Sequence, residues 1–188
     1  MSRYFILIAL LAGAFACAES GGGLAEGGIG GSGISQGPIT EFGSIFVNGI
    51  EWELDGAEVE IDGVVEPGLS SDQDLSDLFN RGMVVRVKGT IDTSTEPPTG
   101  QAERVFFDDE IVGPVSGPIM DLPGSDDPDD AVQFKELTVL GKKILIEEGA
   151  TNFSDGPAGF ETVTIVVGDL FAISGLVDDE LGVVRATY

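Results

Sequence analysis

Histidine is missing from all 188 residues, and cysteine occurs once, at Cys17. Without an imidazole base, a Ser-His-Asp triad is excluded outright. The two scarcities together remove the donor sets that ordinarily hold zinc, copper and haem. A sole cysteine also excludes an internal disulfide. Basic residues are few: nine Lys and Arg face 33 Asp and Glu, a formal net charge of -24. Such a chain repels phosphate backbones, so no nucleic-acid partner is expected. No apolar run reaches the roughly 20 residues that a membrane-spanning helix needs. What the charge does agree with is solubility, cationic partners or divalent ions.

Residues 1–16, MSRYFILIALLAGAFA, carry one basic residue (Arg3), an apolar run from Phe5 to Leu11 and then small residues. That order reads as a secretory signal peptide. Cys17 follows it directly, and "AFAC" resembles the lipobox of bacterial lipoproteins, in which the cysteine becomes the lipidated first residue. Two positions depart from that pattern: Ala14 stands where leucine is common, and Phe15 where a small residue is usual. Ala14-x-Ala16 is also an ordinary signal-peptidase site, which leaves plain secretion with a free thiol as the alternative. Ala18, not aspartate, follows Cys17, and by resemblance to Gram-negative lipoproteins this implies the outer membrane, held by the lipid anchor alone.

From Ser20 to Gly37 nine of eighteen residues are glycine. The composition predicts a flexible tether over 17–36, with ends about 25 Å apart for ~18 residues. Two catalytic patterns fall inside it. Gly28, Gly30 and Gly33 spell a dinucleotide loop, yet "GGGLAE" before them is no strand and "ISQGPITEFG" after them no helix. Gly33, Ser35 and Gly37 spell a hydrolase elbow, which lacks its base. Both patterns are accidents of glycine content.

Beyond Gly37, short runs of Val, Ile and Phe broken by Gly, Asp and Pro predict an all-β body. Internal similarity divides it. "GPITEFGSIFVNGIEWELDGA" is echoed by "GPVSGPI" and, after an insertion, "FKELTVLGKKILIEEGA". "RGMVVRVKGTID" is echoed by "VGDLFAISGLVD", and "GQAERVFF" by "LGVVRATY". Two modules are therefore expected, 37–112 and 113–188. In the first, alternation predicts strands at 39–48, 50–54, 57–62, 83–91 and 101–107. "SSDQDLSDLFNRG" predicts a short helix ending at Gly82. Three strands, a helix and two strands is the order of an OB-like β-barrel. "FGSIFVNG", "GMVVRVKG", "FDDEIVGPVS", "LTVLGKKI" and "VGDLFAISGLVD" resemble a family of bacterial secreted proteins and lipoproteins with tandem OB-like β repeats, a domain of unknown function. The resemblance spans essentially the whole chain after the signal, implies fold and location, and carries over no catalytic residue.

Three constellations are candidates for binding. If Asp55-Gly56 closes a two-residue hairpin, Glu53 faces Glu58 and Glu51 faces Glu60. Such like-charge pairs cost roughly 0.2–1 kcal/mol each, and calcium, a basic partner or plain screening would offset them. Asp126, Asp127, Asp129 and Asp130 surround Pro128 in an acidic loop that lacks the spacing of a calcium loop. Trp52 belongs to the core by alternation, or, facing outward, to the ligand face of strand two. "FDDE" at 107–110, "VDDE" at 177–180 and the sequon Asn152-Phe153-Ser154 read as turn chemistry. The function expected is that of a non-enzymatic envelope module that binds or scaffolds a protein or glycan. The alternative is an acidic, calcium-responsive structural protein.

Overall fold

The computed structural model describes residues 33–67, 74, 77–123, 134–154, 160 and 163–188. The signal, Cys17, most of the tether and the 124–131 loop with Asp126, Asp127, Asp129 and Asp130 lie outside them. The body is all-β. Its strands are β1 (Ile34–Pro38), β2 (Ile45–Val47), β3 (Ile50–Glu53), β4 (Glu58–Ile61), β5 (Val64–Glu66), β6 (Val84–Asp92) and β7 (Thr99–Phe107) in the first half. The second half contributes β8 (Ile111–Pro114), β9 (Met120–Leu122), β10 (Phe134–Val139), β11 (Lys142–Glu147), β12 (Leu170–Ile173), β13 (Gly175–Asp178) and β14 (Val183–Ala186). Asp74, Asp77 and Leu78 take helical backbone, and the remainder of the expected helix up to Gln73 lies outside the described residues.

Strand β1 begins inside the expected tether. Its register against β6, Ser35 with Val87 and Gly37 with Val85, buries Ser35, whose Oγ accepts a 3.3 Å hydrogen bond from the Asn48 amide. A serine held in a ladder cannot present a nucleophile elbow. Alternation decides the inward faces elsewhere: Ile45, Val47, Ile50, Trp52, Val59, Val85, Val87 and Val105 are fully buried. The β2–β3 turn follows from "NG", since Asn48 (φ 53°) and Gly49 (φ 72°) both take the left-handed backbone that a two-residue hairpin requires.

The expected 54/57 hairpin does not form. β7 runs antiparallel to β6 and offers its other edge to two parallel strands placed end to end. Glu51 and Glu53 pair with Thr99 and Gln101, and Glu58 and Glu60 pair with Arg104 and Phe106. Between them the chain jogs at Leu54–Ala57, closed by a 2.9 Å bond from the Ala57 N–H to the Leu54 carbonyl. The Gln101 side chain donates to the Glu53 and Asp55 carbonyls at 3.3 and 3.1 Å, which fastens the jog to β7. A nine-residue edge satisfies the backbone of both segments at once, so the glutamates never face each other.

Ladders of the first half recur in the second. β11 lies parallel to β14, as β3 and β4 lie parallel to β7, and β13 lies antiparallel to β14, as β6 does to β7. β8 pairs antiparallel with β12, as β1 does with β6. Leu140 (φ 49°) and Gly141 (φ 78°) make the β10–β11 turn in the same left-handed pair as Asn48-Gly49. Single bridges, Ile39 to Val47 and Val115 to Val139, span the gap between the outer strands. Among the described residues no ladder closes a sheet into a barrel. Each half has its own core, one around Trp52, Phe79 and Val105, the other around Leu137, Ile144 and Phe160.

The halves are bonded to each other. Buried Ser174 accepts a 2.7 Å hydrogen bond from the Val84 N–H, and the Asn80 amide donates to the Tyr188 hydroxyl at 3.0 Å. Only three residues separate the end of β7 from the start of β8.

Trp52 is wholly buried, and its ring lies on Gly100, where an added Cβ would meet the indole at 2.5 Å. Gly100→Ala is therefore expected to destabilise the protein by about 1–3 kcal/mol, measured by urea unfolding and accompanied by a shift in tryptophan emission. An unchanged midpoint would contradict this packing.

Candidate functional site

In the first half β6 is flanked on both edges. The Met83 carbonyl accepts from the Ile39 N–H at 2.9 Å, and the Gly89 N–H donates to the Gly33 carbonyl at 2.8 Å, so odd positions of β6 face β1. By the pleat, Arg86 and Lys88 turn to β7, where they pair with Phe106 and Arg104.

Among the described residues β12 has one such flank. The Val115 N–H donates to the Asp169 carbonyl and the Glu110 N–H to the Ile173 carbonyl, both at 2.8 Å, which fixes the edge facing β8. The opposite edge carries Leu170, Ala172 and Ser174. Ser174 is satisfied there: its N–H donates to the Tyr188 carbonyl at 3.0 Å, and its carbonyl accepts from Thr187 and Tyr188 at 2.9 and 3.1 Å. Tyr188 stands to Ser174 as Arg104 stands to Lys88. Further along, among the described residues, no strand pairs with the edge at Ala172 and Leu170.

Residues 151–154 face this edge from across a gap. The Asn152 N–H donates to the Thr187 carbonyl at 3.0 Å, and the Thr151 hydroxyl to the Ala186 carbonyl at 2.7 Å. They occupy the place that β4 holds beside β7 in the first half. The gap is a cavity of about 630 Å³ whose floor includes Ile144, Ile146 and Ala186. Phe153, Phe171 and Tyr188 form its walls, and Met83 and Phe107 reach it from the first half. Among the described residues its lining carboxylates are Asp109 and Asp169, and no Lys or Arg lines it. The size falls in the range of about 300–1,000 Å³ usual for ligand pockets.

The residues expected to bind are elsewhere. Trp52 offers no ligand face because the core encloses it. Glu51 accepts from the Ser44 hydroxyl at 2.8 Å, and Glu53 is exposed on β3. Glu58 and Glu60 both reach Arg104, Glu60 at 3.7 Å. Among the described residues no group of three or more acidic residues is placed to hold a metal ion. The glutamate ladder on which calcium was to act is thus replaced by one shared guanidinium. Arg86 and Arg104 also both stack on the Phe106 ring, each 4.8 Å from its centroid.

Sequence reasoning missed the cavity, although it had marked two of its edges. "FDDE" contributes Asp109, and the sequon supplies Asn152, Phe153 and Ser154. The signal that could have found it is the final echo, in which "VFF" of β7 is matched to "ATY". In the ladders Ala186 pairs with Gly175 as Ala102 pairs with Gly89, three positions out of that alignment. Tyr188 is thereby the equivalent of Arg104, not of Phe107.

Burial pushes the Asp109 carboxyl above the ordinary aspartate value, and the charges of Asp62 and Asp108 add to the shift. An acid raised in the folded state binds more protons folded than unfolded, so its contribution to stability falls as pH rises from below about 3.9 through the raised value. Asp109→Asn is expected to melt above the parent protein at about pH 7, with the gap closing by about pH 3. Thermal melts at the two pH values check it, and an equal gap at both would contradict it. No protein-family model, curated protein or solved structure matches the chain.

Proposed function

We propose that this chain is a non-enzymatic binding module of the bacterial cell envelope, taking an envelope protein or glycan in the cavity beside β12. It is exported by residues 1–16, anchored through lipidated Cys17 in the outer membrane, and built as two OB-like modules in tandem, like the secreted family it resembles. The observation that carries this reading is the cavity itself: an apolar slot open to solvent with a few polar groups on its rim, in a chain without histidine. Support for the tandem arrangement comes from the matching ladders of the two halves and their separate cores.

An NMR titration of the full chain tests this with three probe classes: a long-chain fatty acid, an oligosaccharide and an extended apolar peptide. At least one probe is expected to move the Phe153, Phe171 and Tyr188 resonances together and saturably. A protein that none of them perturbs at this place would contradict the binding role. Mass spectrometry of the mature amino-terminal peptide should find a diacylglyceryl group on Cys17, and a free thiol there would contradict the anchor.

A further inference from the structure

We propose that Asn48 is a site of deamidation in the folded protein, and that its side-chain amide is a clasp on β1 which this conversion opens.

The chemistry is local. The chain contains one Asn-Gly pair, Asn48-Gly49, and its other asparagines precede Arg81 and Phe153. Glycine has no side chain to shield its backbone nitrogen. That nitrogen attacks the Asn48 Cγ, a C–N bond forms, and ammonia leaves to give a cyclic imide. Water, the only other reactant, then opens the imide at either carbonyl. Aspartate or isoaspartate remains, each with a negative charge where there was none.

The fold governs when this happens. β6 holds β1 along one edge. Along the other, the bridge from Ile39 to Val47 is extended by the Asn48 side chain, whose Nδ2 donates to the Gln36 carbonyl at 2.8 Å and to the Ser35 Oγ at 3.3 Å. Its Oδ1 lies over Gly37, where an added Cβ would overlap it. Ring closure needs Asn48 to turn toward the Gly49 nitrogen, and the two bonds to β1 restrain that turn. The reaction thus proceeds from the open clasp.

Its product cannot close again. A carboxylate has no N–H for the Gln36 carbonyl and repels it, and isoaspartate lengthens the backbone of the turn. The step runs one way.

The second half repeats the device without the chemistry. Leu140 has the same left-handed backbone, φ 49° against 53° at Asn48, and stands beside the bridge from Val115 to Val139. It lies over Gly113, where an added Cβ would meet the leucine Cγ at 2.7 Å. Leucine can neither donate nor deamidate. A left-handed turn residue laid over a strand glycine is therefore part of the fold in both halves, and in the first it is also reactive.

The test follows conversion at Asn48 by peptide mass mapping while the full chain is held at neutral pH and physiological temperature. Four samples are compared: the parent, the parent unfolded in urea, Gly37→Ala and Gly100→Ala. Gly37→Ala displaces the Asn48 amide and leaves the Asn-Gly pair intact, whereas Gly100→Ala loosens the Trp52 core and leaves the clasp. The parent should convert at least about tenfold more slowly than the unfolded chain, and Gly37→Ala about tenfold faster than the parent. Gly100→Ala should stay within about twofold of the parent. Should Gly37→Ala not fold, Ser35→Ala removes one acceptor and is expected to speed conversion by about threefold. Equal rates in the parent and the unfolded chain, or in the parent and the clasp variant, would overturn the clasp. Equal acceleration by Gly100→Ala would assign the reaction to global unfolding and overturn it too. A parent that gains no product while the unfolded chain converts fully would overturn the site in the folded protein. The converted protein, separated by its added negative charge, should exchange the Ser35 and Gly37 amides about tenfold faster than the parent. Unchanged exchange there would show that conversion leaves β1 fastened, against the proposal.

Discussion

Every buried peptide group needs a partner, and in the first half of this protein one strand supplies partners to three others. β7 satisfies β6 along one edge and β3 and then β4 along the other. Its length explains why the chain jogs at Leu54–Ala57 instead of reversing, why Trp52 and Val59 reach one core, and why Phe107 arrives at the boundary of the second half. β14 plays the same part beside β11 and β13 but ends at Ala186, with Thr187 and Tyr188 bonding Ser174.

Charge is arranged around the same strand. Arg104 reaches Glu58 and Glu60 and stacks on Phe106, as does Arg86. These exposed pairs are worth little individually. Their consequence is placement: the few cations divide between the halves, with Lys135, Lys143 and Arg185 pairing with Asp121, Glu136, Glu147 and Asp178 in the second.

Much of the fold was legible in the sequence because its signals are local. Alternating Val, Ile and Trp located β3, β4, β6 and β7, and the break between the strands expected at 39–48 and 50–54 coincides with the Asn-Gly signal of a turn whose residues take positive φ. Leu140-Gly141 makes an equivalent turn without that signal, since leucine rarely adopts a left-handed backbone. Strand partners are non-local and were less legible. "DG" at 55–56 pointed to a hairpin, and the choice of β7 as common neighbour depends on residues about 45 positions away, a pairing pattern that turn chemistry does not encode. Ser35 reads as tether because glycine content hides a strand that is defined by its register with β6. Trp52 was correctly consistent with the core, whereas the glutamates drew attention to a face that Arg104 neutralises.

The account turns on a single difference between equivalent edges, β6 at Arg86 and β12 at Ala172. Amide hydrogen exchange of the free protein reads both in one experiment. The Arg86 amide, set against Phe106 of β7, should be strongly protected, and the Ala172 amide should exchange near the rate of an unpaired chain. Equal protection at the two amides would mean that β12 already has a strand beside it, and the slot would not be a binding site.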